Sequence, residues 1–147
     1  VVKQLSEHGS CFVCGTTNPR SLGLTWFEQE TGEIFAEFVF DLAQQGPPGH
    51  VHGGASAAVL DEAMGAAVWR AGLRVVAVNL EINYRRALPL GEKVVISARV
   101  EEKQARKVLT SGEMRLPDGS VAVTGRGIYV PAPHLVGQLK LDNPAGR

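Results

Sequence analysis

The sequence predicts an α+β fold, one long helix packed against a curved antiparallel sheet of about six strands. Three observations predict it. Residues 55–69 are almost all small or apolar, as a buried helix requires. Several other runs alternate apolar and polar residues with the period of a strand. The four runs that follow the helix are joined by connections of a few residues, too short for the crossovers that parallel strands need.

In chain order, residues 1–20 are rich in Gly, Ser, Asn and Pro and are expected to form an irregular lead-in. "LGLTWFEQE" (22–30) and "GEIFAEFVF" (32–40) read as two strands around the turn residues Thr31 and Gly32. In the second, Ile34, Ala36, Phe38 and Phe40 share one face. "QQGPPG" is a loop, because paired prolines and glycines cannot continue a strand. The helix is expected from about Gly54 to Ala71, with Gly72 placed to cap it. "VVAVNLEINY" (75–84) alternates Val76, Val78, Leu80, Ile82 and Tyr84 against Ala77, Asn79, Glu81 and Asn83. "LPLGE" is a turn. "KVVISARVEE" (93–102) and "KVLTSGEMRL" (107–116) flank the short connection "KQAR". "PDG" is a hairpin-type turn before the last strand, "SVAVTGRGIYV" (120–130). Residues 131–147 read as a surface tail, so 1–147 is expected to be a single domain.

The 147 residues suffice for one domain with a proper core. Lys plus Arg and Asp plus Glu balance at 15 each, which gives no net field to attract nucleic acid or an anionic membrane. No apolar run is long enough to span a bilayer. The first ten residues lack the layout of a signal peptide, and two cysteines are too few for a disulfide framework. A cytoplasmic location is the expectation.

"GHVHGGASAAVLDEAMG" (49–65) carries the chemistry. Asp61 and Glu62 sit inside an otherwise apolar helix, about 100° apart around its axis. At least one therefore faces a low-dielectric environment, where a carboxylate must be hydrogen-bonded, paired or used. The residues leave two readings open, a core acid that accepts hydrogen bonds while Glu62 reaches solvent, or a functional acid. Gly53 and Gly54 stand where loop becomes helix, offering unpaired N–H groups and the positive end of the helix dipole. Without side chains they let a carbonyl approach, as an oxyanion site would need. His52 either holds this turn or joins the chemistry. Eight residues separate Gly53 from Asp61, roughly 12 Å along a helix. Two helices lying antiparallel across a two-fold axis would bring Asp61 of one chain to Gly53 of the other.

"HGGASAAVLDEAMG", with "QQGPPG" before it and "VNLEINYRRALPLGE" after it, resembles the hotdog-fold acyl-CoA thioesterases, in particular the phenylacetyl-CoA (PaaI-like) branch. The resemblance extends over roughly Cys11 to Val130 and includes "CFVCGTTNPRSLGL". It implies a dimer, or a dimer of dimers, that takes an acyl-CoA substrate and no cofactor. It further implies that Gly53 donates its N–H to the thioester oxygen, and that Asp61 from the partner chain is general base or nucleophile. Related enzymes often carry Ser or Thr where this chain has Ala77; Asn79, two residues on, is the candidate substitute. Gln45 is a polar candidate near the mouth, and Arg85 and Arg86 are candidates for the CoA phosphates. "LTWF" suggests an aromatic wall, unless Trp26 and Trp69 are core.

His8, Cys11 and Cys14 faintly resemble a metal knuckle, but only the distant His50, His52 and His134 are available to complete it. No metal is expected. Two rival functions remain. One is a hotdog dehydratase, which would use His52 with an acid. The other is a non-catalytic acyl-CoA-binding module, which the alanine at 77 favours.

Overall fold

The computed structural model describes residues 2–6 and 9–132. They form β1 (Lys3–Gln4), β2 (Phe27–Glu28), β3 (Ile34–Val39), a short 3-10 turn (Leu42–Gln44), α1 (Gly53–Trp69), β4 (Val75–Tyr84), β5 (Lys93–Lys103), β6 (Val108–Arg115) and β7 (Val121–Pro131). One sheet has the order β1-β2-β3-β5-β6-β7-β4, and every neighbouring pair is antiparallel. After β3 the chain crosses the sheet as α1 and returns on the far edge as β4. The helix therefore lies against β3 through β7.

Hydrophobic burial holds these layers together. Val59, Leu60, Ala63, Met64 and Ala67 of α1 are fully buried, as are Ile34, Ala36, Val94, Ile96 and Met114 of the sheet. Each large side chain removed from water contributes roughly 1.5–3 kcal/mol. The helix sits close to the strands partly because Gly125 leaves space beneath it. A Cβ there would lie 3.3 Å from both Met64 Cε and Ile82 Cδ1. The helix ends on Arg70, and Gly72, at φ 84°, turns the chain into β4.

The later strands and β3 match the sequence reading to within a residue or two. Ile34, Ala36 and Phe40 are buried and Phe38 is half-buried, as the alternation requires. Three features differ. Only Phe27 and Glu28 of the expected first strand pair with β3, because the backbone N–H groups of Leu22 and Leu24 instead bond the carbonyls of Phe12 and Val13. The expected lead-in contributes a seventh strand, β1, and places Val13 and Cys14 in the core.

The third difference is in β4. A bulge at Val78 makes Ala77 pair with Tyr129 but Asn79 with Ile128. Paired residues share a face, and one extra residue exchanges the faces. Ala77, Leu80, Ile82 and Tyr84 thus lie on the helix side, and Asn79, Glu81 and Asn83 on the outer side. Without the bulge Ala77 and Ile82, which both pack against the core, would face opposite ways. Simple alternation cannot reveal such a switch, so Asn79 is not beside Ala77 on the inner face.

Candidate active site

Two clusters surround α1, one at its first turn and one at its middle. At the first turn the loop before the helix is held from several directions. Gln45 Oε1 accepts from Gly49 N at 2.9 Å, and the Gln44 carbonyl accepts from His52 N at 2.7 Å. His52 is the N-cap, its Nδ1 accepting from Gly54 N at 2.9 Å. These bonds give Gln45 and His52 the work of shaping the turn, and occupy the Gly54 N–H. The Gly53 N–H, first in the helix, meets no acceptor among the described residues. Tyr84, the last residue of β4, donates to the Gly53 carbonyl at 2.6 Å and fixes the strand end against this turn.

A cavity of about 240 Å³ opens beside Gly53, lined among others by Ser56, Tyr84, Arg85, Arg86 and Leu88. The structure thus gathers Gly53 with both arginines. Their commitments differ. Arg86 Nη1 binds Ser120 Oγ at 2.6 Å and Asp118 Oδ2 at 3.4 Å, across the turn between β6 and β7. Arg85 is exposed at the rim.

The second cluster holds Asp61. The Tyr129 hydroxyl lies 2.7 Å from Asp61 Oδ1 and 2.8 Å from the Asp61 carbonyl oxygen, one donor shared by two acceptors. Burial pushes the Asp61 carboxyl above its ordinary value, and the Tyr129 bond opposes that shift. Nearby Cys11 adds to the rise. Burial, together with the Asp61 charge, raises the Tyr129 hydroxyl well above its usual range, so it stays a donor. Oδ2 accepts no hydrogen bond among the described residues. Tyr129 is the cross-strand partner of Ala77. The strand next to Ala77 thus places a hydroxyl on the Asp61 carboxylate.

Sequence reasoning missed Tyr129 and Tyr84. One signal was available for Tyr129: in "VTGRGIY" it falls on the same strand face as Gly125 and Gly127, the face left open for a helix. Trp26 is buried in the core and Trp69 is half-buried against Gly65, so "LTWF" forms no wall at either cluster. His8 and His134 lie outside the described residues. No helix among the described residues is long and apolar enough to cross a membrane.

Asp61 does not line the Gly53 cavity of its own chain. Along the helix it lies roughly 12 Å away. A chemistry that needs both must draw them from two copies.

Comparison with known proteins agrees with this architecture. An acyl-coenzyme A thioesterase, THEM4 of Xenopus laevis, is 42% identical over 81 residues, 54% of this chain and 36% of that protein. The match to the THEM4 of Bos taurus is 39% over 74 residues, 50% of this chain and 30% of that protein. The matched part of this chain thus spans about a third of these relatives. A solved thioesterase superfamily protein superimposes with a TM-score of 0.80 at 31% identity, over 83% of this chain and 60% of that one. The PaaI protein of E. coli, from the phenylacetic acid degradation operon, shares the fold, with a TM-score of 0.70 at 18% identity over 77% of this chain and 82% of that one. The family model of the thioesterase superfamily matches residues 48–123, more than half of the chain and the whole of the helix with its preceding turn. A hotdog-fold chain, it belongs to the thioesterase superfamily.

Proposed function

We propose that this chain hydrolyses acyl-CoA thioesters at two equivalent sites shared across a homodimer. The layout of β4 carries this reading. Its Tyr84 end touches Gly53, and its Ala77 end adjoins Tyr129 and hence Asp61. β4 is also the long free edge of the described sheet, with Val78 58% and Leu80 40% exposed. A ten-residue edge with exposed apolar side chains invites another strand. Antiparallel pairing with its own copy sets the Tyr84 end of one chain against the Ala77 end of the other. Gly53 of one chain then faces Asp61 of its partner, twice over.

The chemistry follows from the groups assembled. The Gly53 N–H and the helix dipole polarise the thioester oxygen and hold the negative charge that develops there. Asp61 Oδ2 takes a proton from water, which attacks the carbonyl carbon. The carbon–sulfur bond then breaks, the carboxylic acid forms, and the proton passes to the departing CoA thiolate. Tyr129 positions the base, and Arg85 is the better placed arginine for a CoA phosphate, since Arg86 is engaged by Asp118 and Ser120. No step calls for a cofactor. The names of the matched relatives support acyl-CoA as the substrate class. Cys11 and Cys14, present as thiols, fit a cytoplasmic setting.

The test is thiol release from short-chain, long-chain and aryl acyl-CoAs by the purified protein, alongside its mass in solution. Turnover of one class by a dimer or larger assembly is expected. Acyl-CoA bound without thiol release would instead make the chain a binding module. The role of Tyr129 has its own readout. Tyr129→Phe removes a hydrogen bond to a charged group, of a kind that contributes about 1.5–3 kcal/mol, and is expected to lower kcat roughly 10–100-fold. KM should be nearly unchanged, because Tyr129 acts through its bond to Asp61 and does not line the Gly53 cavity of its own chain. A proportional rise in KM with kcat preserved would show that it shapes the pocket instead.

A further inference from the structure

Glu62, the other acid of the helix, takes no part in the chemistry above. It was expected to reach solvent, and instead it is half-buried against the lead-in segment. Cys14 Sγ donates to Glu62 Oε2 at 2.8 Å, and Cys11 Sγ to the same oxygen at 3.2 Å. The three ligand atoms lie within 4.8 Å of one another.

From this convergence we propose that Cys11, Cys14 and Glu62 form a site for a thiophilic divalent cation, Zn²⁺ in the cell, with water in the fourth position. The inference does not depend on the hydrolytic reading. Zinc bound tetrahedrally at its usual distances sets sulfur–sulfur separations near ~3.8 Å and sulfur–oxygen separations near ~3.5 Å. The present sulfur–oxygen distances of 2.8 and 3.2 Å lie within ~0.7 Å of that separation. Two thiolates and a carboxylate give a soft, anionic donor set that suits zinc and disfavours magnesium or calcium. Binding displaces the two thiol protons now shared with Glu62 into solvent, and the loaded site carries one net negative charge.

The surrounding backbone is arranged to present the sulfurs. Val13 N donates to Cys11 Sγ at 3.3 Å, a bond that steadies a thiolate. The turn closes with Gly15 N on the Cys11 carbonyl and Thr17 N on the Gly9 carbonyl, each at 2.9 Å. A Cβ at Gly15 would collide with the backbone of Gly9 and Cys11, so only glycine closes it this tightly. Neighbouring groups now hold the Cys14 thiol protonated: the Cys11 hydrogen bond most, then burial, then Glu62. A cation would offset the repulsion among the two thiolates and the carboxylate once the thiol protons leave, and would pin residues 9–17 to the middle of the helix, one residue from Asp61.

Glu62 lies 48 residues from Cys14, so the spacing of the cysteines and histidines does not reveal it as a ligand. The test is a Co²⁺ titration of the reduced, chelator-stripped full chain, followed by absorbance, with Zn²⁺ then added to displace the cobalt. The expected result is one cobalt per chain, with tetrahedral d–d bands, a thiolate-to-cobalt charge-transfer band and two protons released. Cys14→Ser should abolish the charge-transfer band, and Glu62→Gln should weaken binding at least ~10-fold with circular dichroism unchanged. Because the wild-type spectrum needs no variant, misfolding of Cys14→Ser leaves the test intact. The proposal is overturned by a wild-type chain that gives no such spectrum, by a spectrum that survives Cys14→Ser, or by equal affinity in Glu62→Gln.

Discussion

Asp61→Asn is expected to lower kcat for acyl-CoA hydrolysis by ~10²–10⁴-fold, the range for loss of a positioned general base. The substitution is nearly isosteric. Tyr129 retains an acceptor, since it already shares its proton between Oδ1 and the Asp61 carbonyl oxygen. An amide, however, cannot take a proton from water at neutral pH. Stability should change little, or rise slightly, because a half-buried carboxylate held above its ordinary value is replaced by a neutral group. Acyl-CoA binding should persist, since the Gly53 cavity is untouched. Single-turnover kinetics with equilibrium binding checks both parts, and wild-type rates in the variant would remove Asp61 from the chemistry.

Gly53→Pro is expected to lower kcat by ~10²–10³-fold, the cost of one missing oxyanion donor. The design rests on where Gly53 sits. It is the first residue of α1, where the backbone N–H makes no helical bond and proline is tolerated. His52 before it has φ −62° and ψ 132°, a conformation that a following proline accepts, and its cap on Gly54 N remains possible. The control is Gly53→Ala, which brings the same Cβ to within 3.2 Å of the Tyr84 hydroxyl yet keeps the N–H. The ratio of the two variants isolates the donor from the crowding. Equal rates in both would mean that the thioester oxygen is held elsewhere.

What the sequence made legible was local. Gly53, His52 and Asp61 lie within ten residues on one turn and helix, so their spacing alone put a candidate donor, a turn histidine and an acid at a calculable separation. The helix and the later strands were legible because their apolar pattern is continuous. The rest depends on contacts distant in sequence. Tyr129 meets Asp61 across 68 residues, and Tyr84 meets Gly53 across 31. The bulge at Val78 escaped because an inserted residue leaves the hydrophobic pattern looking unbroken while it exchanges the faces. For the same reason Asn79 was expected on the face of Ala77, when it lies on the opposite one. The lead-in looked irregular because its order comes from partners elsewhere, with Leu22 and Leu24 bonding it and Glu62 gathering its cysteines.

If each site is built from two chains, two inactive variants will complement each other when mixed. Asp61→Asn and Gly53→Pro chains are co-refolded in equal amounts and assayed for thiol release. A mixed dimer would carry one site with the intact Gly53 of the first chain and the intact Asp61 of the second. Recovery to roughly a quarter of the wild-type rate is expected, since about half the dimers are mixed and each has one complete site of two. A mixture no more active than its parents, with mixed dimers shown by mass, would contradict it and place Gly53 and Asp61 in separate roles.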